Sequence, residues 1–289
     1  MHISRLPTYF LSHGGGPWPW MRGDFVRMFD KLEQTLIEMH AELDSVPKAI
    51  LVISGHWEER GGGGVSSGAR PGMLCDYYGL PDSRYRISYT APGLPKLAQH
   101  VCDLLVTTGI EANLNPDRGF DHSTFSLMPP LYPEENISVV QFSLDSKLEP
   151  QTHLEVGRAV ASLRDAGVLN MGSGLSYHNL STIRSSDGYE PSRQFDACLQ
   201  QTLTHVSPHE RATRLTHWEQ APCARVAHPR DDHLIPRMIA IGAAADELGA
   251  VTYHQSDFAG RITASSFRFG MPPAPEQPNG ASRRSGEAH

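Results

Sequence analysis

A chain of 289 residues, 39% hydrophobic and 20% charged, can bury a sizeable core, which excludes wholesale disorder. Its 25 basic against 32 acidic residues give a net charge of −7, so no concentrated basic face for nucleic acid or an anionic membrane is expected. No apolar run approaches the roughly 20 residues of a membrane span. The N-terminal segment lacks a signal-peptide pattern, and Cys75, Cys102, Cys198 and Cys223 form no CxxC pair, which predicts reduced thiols in a cytoplasmic protein.

Apolar runs of strand length alternate with helical periods along most of the chain. Leu6–Leu11 reads as a short buried strand, followed by a helix over Asp24–Leu43 whose Phe25, Met28, Phe29, Leu32, Leu36 and Ile37 form one apolar stripe. Ala49–Ser54 (AILVIS) is a second strand, and the glycine-rich Gly61–Gly72 reads as a flexible surface loop. Helices are expected at Pro95–Thr107, Thr152–Ala166, Ser192–Val206 and Asp231–Leu248, and strands at Ile137–Leu144, Val168–Met171 and Val251–Tyr253. This alternation predicts a single α/β domain over residues 1–270, with a central, mostly parallel mixed sheet and helices on both faces. Residues 271–289, rich in Pro, Gly and Ser, are expected to form a disordered tail.

The unusual count is histidine, at 15. In open α/β sheets ligands bind beyond the C-terminal ends of strands. His13 follows YFLS and opens into three glycines, His56 follows AILVISG, and His178 follows VLNMGSG, so one design recurs at three strand ends. His122 sits in a loop segment with Asp121 able to orient its ring. His233 lies at the start of the last predicted helix, whose first turn carries Asp231 and Asp232. Any one of these alone reads equally well as a hydrogen-bonded structural histidine, and the repetition is what points to metal. His2, His40, His100, His153, His205, His209, His217, His254 and His289 read as solvated side chains on helix surfaces or loops. Without HExxH or CxxC spacing there is no local zinc motif, but a set of neutral imidazoles spread along the chain suits Zn(II) or Fe(II). Trp18, Trp20, Trp57, Tyr77 and Tyr78 are candidates for an aromatic pocket wall, as is Tyr177 beside His178.

At these residues the chain resembles the LigB-type, class III extradiol ring-cleavage dioxygenases, in particular their DOPA extradiol dioxygenase branch. The resemblance is carried by LSHGG (Leu11–Gly15), ILVISGHWEE (Ile50–Glu59), DYYGLP with YRISYTAPG (Asp76–Pro81, Tyr85–Gly93), RGFDHSTFSLMPPLYP (Arg118–Pro133), VVQFSLD (Val139–Asp145), GSGLSYHNL (Gly172–Leu180) and HPRDDHLIP (His228–Pro236). It covers roughly residues 6–270.

The resemblance implies His13, His56 and His233 as metal ligands and His178 as acid–base catalyst. It implies His122 as the histidine that helps hold substrate or oxygen, with Asp76, Tyr77, Trp57 and Tyr177 around the substrate. The implied metal is Fe(II) in the active form, with Zn(II) able to displace it by the Irving–Williams order. The implied partners are a small catechol and O2, with no nucleic acid or membrane; oligomeric state, homodimer included, stays open. Two departures stand out. The HPRDDH segment offers Asp232 or Asp231 beside His233 as an alternative third ligand, and Cys75-Asp76-Tyr77 stands where the branch usually has His-Asp-Phe. Two other readings share the scaffold: a zinc hydrolase using the same three histidines, and a non-catalytic metal-binding protein.

Overall fold

The run AILVISG is buried at every position because it occupies the middle of a sheet covered on both faces. The computed structural model describes residues 5–21, 23, 27–43, 46–244 and 246–270. In chain order its elements are β1 (Thr8–Ser12), α1 (Asp30–Glu42), β2 (Ala49–Glu59), β3 (Gly63–Ser66), α2 (Pro95–Thr107) and β4 (Ala112–Asn115). Then come the short α3 (His122–Phe125) and α4 (Met128–Leu131), β5 (Ser138–Asp145), α5 (Pro150–Ala159) and β6 (Val168–Gly174). The chain continues through α6 (Tyr189–Thr204), α7 (Pro208–Thr216), the short α8 (Ala224–Ala227), α9 (Pro236–Ala244), β7 (Gly249–Phe258) and β8 (Ile262–Phe269).

The strands form one eight-stranded sheet in the order β4-β3-β5-β2-β6-β1-β8-β7. The centre is parallel, β5 with β2, β2 with β6 and β6 with β1, whereas β8 runs antiparallel to both β1 and β7. This is the expected α/β architecture with a mostly parallel mixed sheet. Alternation along β1 shows both faces in use. Thr8 donates its hydroxyl to the Ala240 carbonyl of α9, and Phe10 lies under the Arg237 guanidinium of the same helix. Tyr9, between them, faces the other way, toward Glu42 and Tyr132. Every residue of α9 is buried, as befits a helix with no polar face.

Several expectations change. The glycine-rich segment is not wholly a surface loop: β3 lies inside it and is buried at each position. Its glycines are a packing requirement, since a Cβ on Gly63 would stand 2.3 Å from the Phe142 ring and one on Gly64 2.5 Å from the Trp57 ring. β4 and β8 carry too many polar or small residues to read as apolar runs, although Thr263, Ser265 and Ser266 of β8 are buried. The helix expected over Thr152–Ala166 ends at Ala159, and a separate 3-10 turn follows at Ala161–Arg164. The last helix begins at Pro236, so Asp231–Ile235 form the turn before it; Pro236 at its first position costs no hydrogen bond. Residues 24–26 of the first expected helix and the whole tail, 271–289, lie outside the described residues. Among the described residues no helix is long and apolar enough to cross a membrane.

Candidate metal and active site

Because β2, β6 and β1 are parallel neighbours, their C-terminal ends open on one edge of the sheet, with Ser54 opposite Ser173 and Ser12 opposite Gly174. His13 leaves β1 there, its backbone N–H donating to the Gly174 carbonyl at 3.1 Å. The chain then turns through Gly14 at φ +76°, where a Cβ would also strike the Trp18 indole at 2.7 Å. The indole N–H of Trp18 donates to the His13 carbonyl. His56 lies within β2 itself. The turn carrying His233 rests directly on the end of β6: a Cβ on Gly174 would be 2.2 Å from the His233 carbonyl oxygen, to which the Leu175 N–H donates. His178 is fixed by its N–H bond to the Ala227 carbonyl, and His122 opens α3.

These five side chains converge. The ring centroids of His13 lie 5.2 Å from those of His56 and His233, which are 4.6 Å from each other. The Nε2 atoms of His56 and His233 face one another at 3.0 Å. Metal–nitrogen bonds of about 2.1 Å at right angles would separate two ligand nitrogens by about 3.0 Å, so this spacing fits a shared ion. His122 joins His13 and His56 in one group of ligand atoms within 4.8 Å of each other; His178, Asp232 and His233 form a second. His178 stacks on His233 with centroids 3.4 Å apart and an interplanar angle of 16°.

Two carboxylates lie behind this cluster. Asp76 reaches Nδ1 of His122 at 2.8 Å and Nδ1 of His56 at 3.3 Å, and also accepts the His122 backbone N–H. Asp232 lies 3.2 Å from Nδ1 of His233 and 3.9 Å from Nδ1 of His178, on the side of the His233 ring away from His56. Its carboxylate also accepts the His233 N–H and an Arg230 N–H. Arg230 in turn makes a two-pronged pair with Glu58, clamping this turn to the end of β2. Such carboxylate contacts fix ring orientation and leave the opposite nitrogen for a ligand. Both nitrogens of the buried His13 lack a hydrogen-bond partner among the described residues.

Burial, reinforced by the neighbouring imidazoles, holds His13 and His233 well below the usual histidine range. Burial followed by the His122 charge takes His56 down to about 3, against the opposing pull of Asp76. Burial also lowers His178, with Asp232 opposing. At neutral pH these rings are uncharged and offer lone pairs, the state a cation requires. For Asp76 burial pulls upward, but the hydrogen bond and charge of His122 and the charge of His56 outweigh it and lower the carboxyl.

The histidines floor a cavity of about 560 Å3, within the range of small-molecule sites. Asp76 and Tyr77 line it. Trp57 and Tyr177 do not. Trp57 follows His56 on a strand, so its ring turns to the opposite face, where it donates to Glu59 and lies 4.6 Å beneath the Arg118 guanidinium. Tyr177 is buried and shares a hydrogen bond with Thr182. Among the other aromatics, Trp18 packs on Phe29 and Trp20 on Phe125, while Tyr78 is 92% exposed.

Asp121 is not the partner of the His122 ring either. It caps α3 through the Ser123 N–H and binds Ser54, Arg118 and Gln141, leaving the ring to Asp76. His153, expected on a solvated face, is buried between the Asp145 N–H and the Glu149 carbonyl. Cavity walls that sequence reasoning did not single out include Phe29, Ile183, Arg184 and Phe258. Phe29 carried a helical signal; Phe258 had none, and Ile183 and Arg184, just beyond the His178 motif, fell in no apolar or helical pattern.

The family model for the catalytic LigB subunit of aromatic ring-opening dioxygenase matches residues 7–269. The chain belongs to this family. It is 36% identical to the 4,5-DOPA dioxygenase extradiol of Beta vulgaris, over 91% of this chain and 96% of that protein. It is 32% identical to the protein of that name from Escherichia coli K12, over 84% and 87% of the two chains. A crystal structure of an uncharacterized Escherichia coli K12 protein superposes with a TM-score of 0.74 at 28% identity, covering 92% of this chain and all of the other. The protein is thus an enzyme of the extradiol ring-opening dioxygenase class, with a histidine-rich group suited to a metal ion.

Proposed function

We propose that this enzyme uses Fe(II) and O2 to open the ring of a small catechol, with His13, His56 and His233 holding the metal. The observation that carries this reading is the approach of the His56 and His233 Nε2 atoms to 3.0 Å beside the unpartnered nitrogens of buried His13. With the Nδ1 edge of each ring turned to a carboxylate, the two Nε2 lone pairs face one another, an arrangement a shared cation stabilises. Asp232 serves the site by orienting His233, since its oxygens already receive N–H groups from Arg230 and His233. When bound, ferrous iron supplies the redox coupling between triplet O2 and a closed-shell catechol that side chains cannot provide.

The chain's own residues do the rest. The three imidazoles approach from one side and leave the cavity side for substrate. His178, kept neutral by burial, takes the proton of a catechol hydroxyl and later returns it to the ring-opened product. His122, fixed at Nδ1 by Asp76, offers Nε2 to a substrate oxygen. The apolar walls, Phe29, Ile183 and Phe258 among them, receive the ring and limit water. The relatives named for DOPA support an aromatic substrate with adjacent hydroxyls. Arg184 on the cavity wall suits an acidic substituent on that ring, while Tyr77 and Cys75, flanking Asp76, adapt the pocket to a different ring from theirs.

The test is O2 uptake and yellow ring-fission absorbance from anaerobically reconstituted Fe(II) protein given a panel of catechols. Turnover that stops on iron chelation is expected. Absence of O2 uptake with every catechol overturns the reading, and hydrolysis supported by Zn(II) but not Fe(II) would replace it with the hydrolase.

A further inference from the structure

On the far side of the His233 turn, α6, α7 and α9 enclose a second cavity unconnected with the histidine cluster in its lining. An outer chamber of about 460 Å3 is bordered by Cys198, Thr202, Arg214 and His217. It shares Cys198, Thr202, Arg214 and Ala221 with an inner chamber of about 30 Å3 walled by Phe195, Leu199, Leu215, Trp218 and Met238. Besides Thr202 and Arg214, shared with the outer chamber, the inner wall carries Arg237, only 1% exposed. Its Nη1 and Nη2 both lack a hydrogen-bond partner among the described residues; the guanidinium meets only the Phe10 ring at 5.0 Å and, through Nε, the Leu234 carbonyl. Asp196 acts on it electrostatically, but that carboxylate gives Oδ2 to Gln200 and leaves Oδ1 unpartnered.

A buried guanidinium with two free edges is expensive, by several kcal/mol, unless something anionic or strongly polar reaches it. The inner chamber has room for about two water-sized groups, which suits the two oxygens of a carboxylate. Its apolar walls and the wider outer chamber suit a hydrocarbon or aromatic body behind that head group. We propose that this cavity binds a small monocarboxylic acid with an apolar body, its carboxylate taken by Arg237. Leu234, which lines the inner chamber, directly follows His233, so an acid bound here touches the segment that carries the histidine site.

Cys198 is a half-buried free thiol on the wall, whereas Cys75, also half-buried, precedes Asp76 of the histidine cavity in sequence, so alkylation of the two distinguishes the sites. The full-length, metal-loaded enzyme is alkylated with iodoacetamide in the presence of benzoate or its neutral isostere benzamide, and each cysteine is followed by peptide mass spectrometry. Benzoate is expected to slow modification of Cys198 at least fivefold with half-saturation at about 1 mM or below, leaving Cys75 unchanged, and benzamide to have no such effect. In Arg237→Lys the protection should need about tenfold more benzoate, a single-point-charge contact replacing a fork. Equal protection by benzamide, protection at Cys75 instead of Cys198, or no protection at all, as when the inner chamber takes water only, overturns the proposal without touching the dioxygenase reading. The wild-type comparison of benzoate with benzamide stands even if Arg237→Lys does not fold.

Discussion

Ser54 and His56 are two residues apart on β2, yet they belong to buried polar clusters of opposite character. Ser54 enters a network around Asp121, in which the carboxylate accepts from Ser54, Ser123, Arg118 and Gln141 while Gln141 also accepts from Thr124. There each strong acceptor has donors, and the result is rigidity. His56 enters a cluster whose outer nitrogens lie beside Asp76 and Asp232 but whose inner nitrogens meet one another or nothing. The cluster around fully buried Asp121 is nearly closed, with Arg118 Nε and Ser123 Oγ left over, whereas the partly exposed histidine cluster is open, its ring nitrogens facing a cavity. The closed one holds the strand ends in place; the open one has capacity left for a ligand.

The sharpest attack on that contrast is to delete a member of the open cluster. His13→Ala or His233→Ala should abolish metal retention and reduce O2 consumption by more than about a thousandfold, while urea unfolding of the metal-free protein shifts by no more than about 1 kcal/mol. Metal analysis and denaturation on the same preparations check it. Asp121→Ala should do the reverse: a loss of about 3 kcal/mol in stability from the groups it leaves unpaired, with metal retained by the folded fraction. If the histidine variants lose stability as Asp121→Ala does, the two clusters are not different in kind.

Within the open cluster the roles separate. His178→Ala should keep the metal but lose about 100-fold to 10,000-fold in kcat, read from O2 uptake beside metal content. Asp76→Asn, which disturbs only the fixing of His56 and His122, should weaken metal affinity about 10-fold to 100-fold, measured by competition with a chelator.

Stability should also depend on pH. In the metal-free fold His13, His233 and also His228 are held below the usual range, chiefly by burial. The unfolded chain therefore binds more protons below about pH 6.5, so stability falls as pH drops through that value, by about 1.4 kcal/mol per histidine for each pH unit. Urea unfolding at neutral pH and one unit below 6.5 reads it, and added metal should raise stability without changing that slope, because these folded imidazoles are already unprotonated there.

The sequence by itself determined the apolar strands of the parallel centre, and hence that His13 and His178 follow strand ends where an open α/β sheet binds ligands, with His56 three residues short of the end of β2. It also carried the motif order that matches the family. Strand alternation was legible as well: His56 in the cavity puts Trp57 on the opposite face, so the Trp57 expectation yielded to a rule already written in the chain.

What the sequence could not decide depended on which distant segments meet. β3 is hidden because its glycines answer to Phe142 and Trp57, and β8 because buried Thr263, Ser265 and Ser266, paired across the fold, interrupt its apolar residues. Asp76, 46 positions from His122 along the chain, takes the ring that adjacent Asp121 was expected to orient. Periodicity reports how a residue relates to its neighbours in the chain. Only the tertiary packing decides which carboxylate stands behind which imidazole, and therefore which nitrogen faces the cavity.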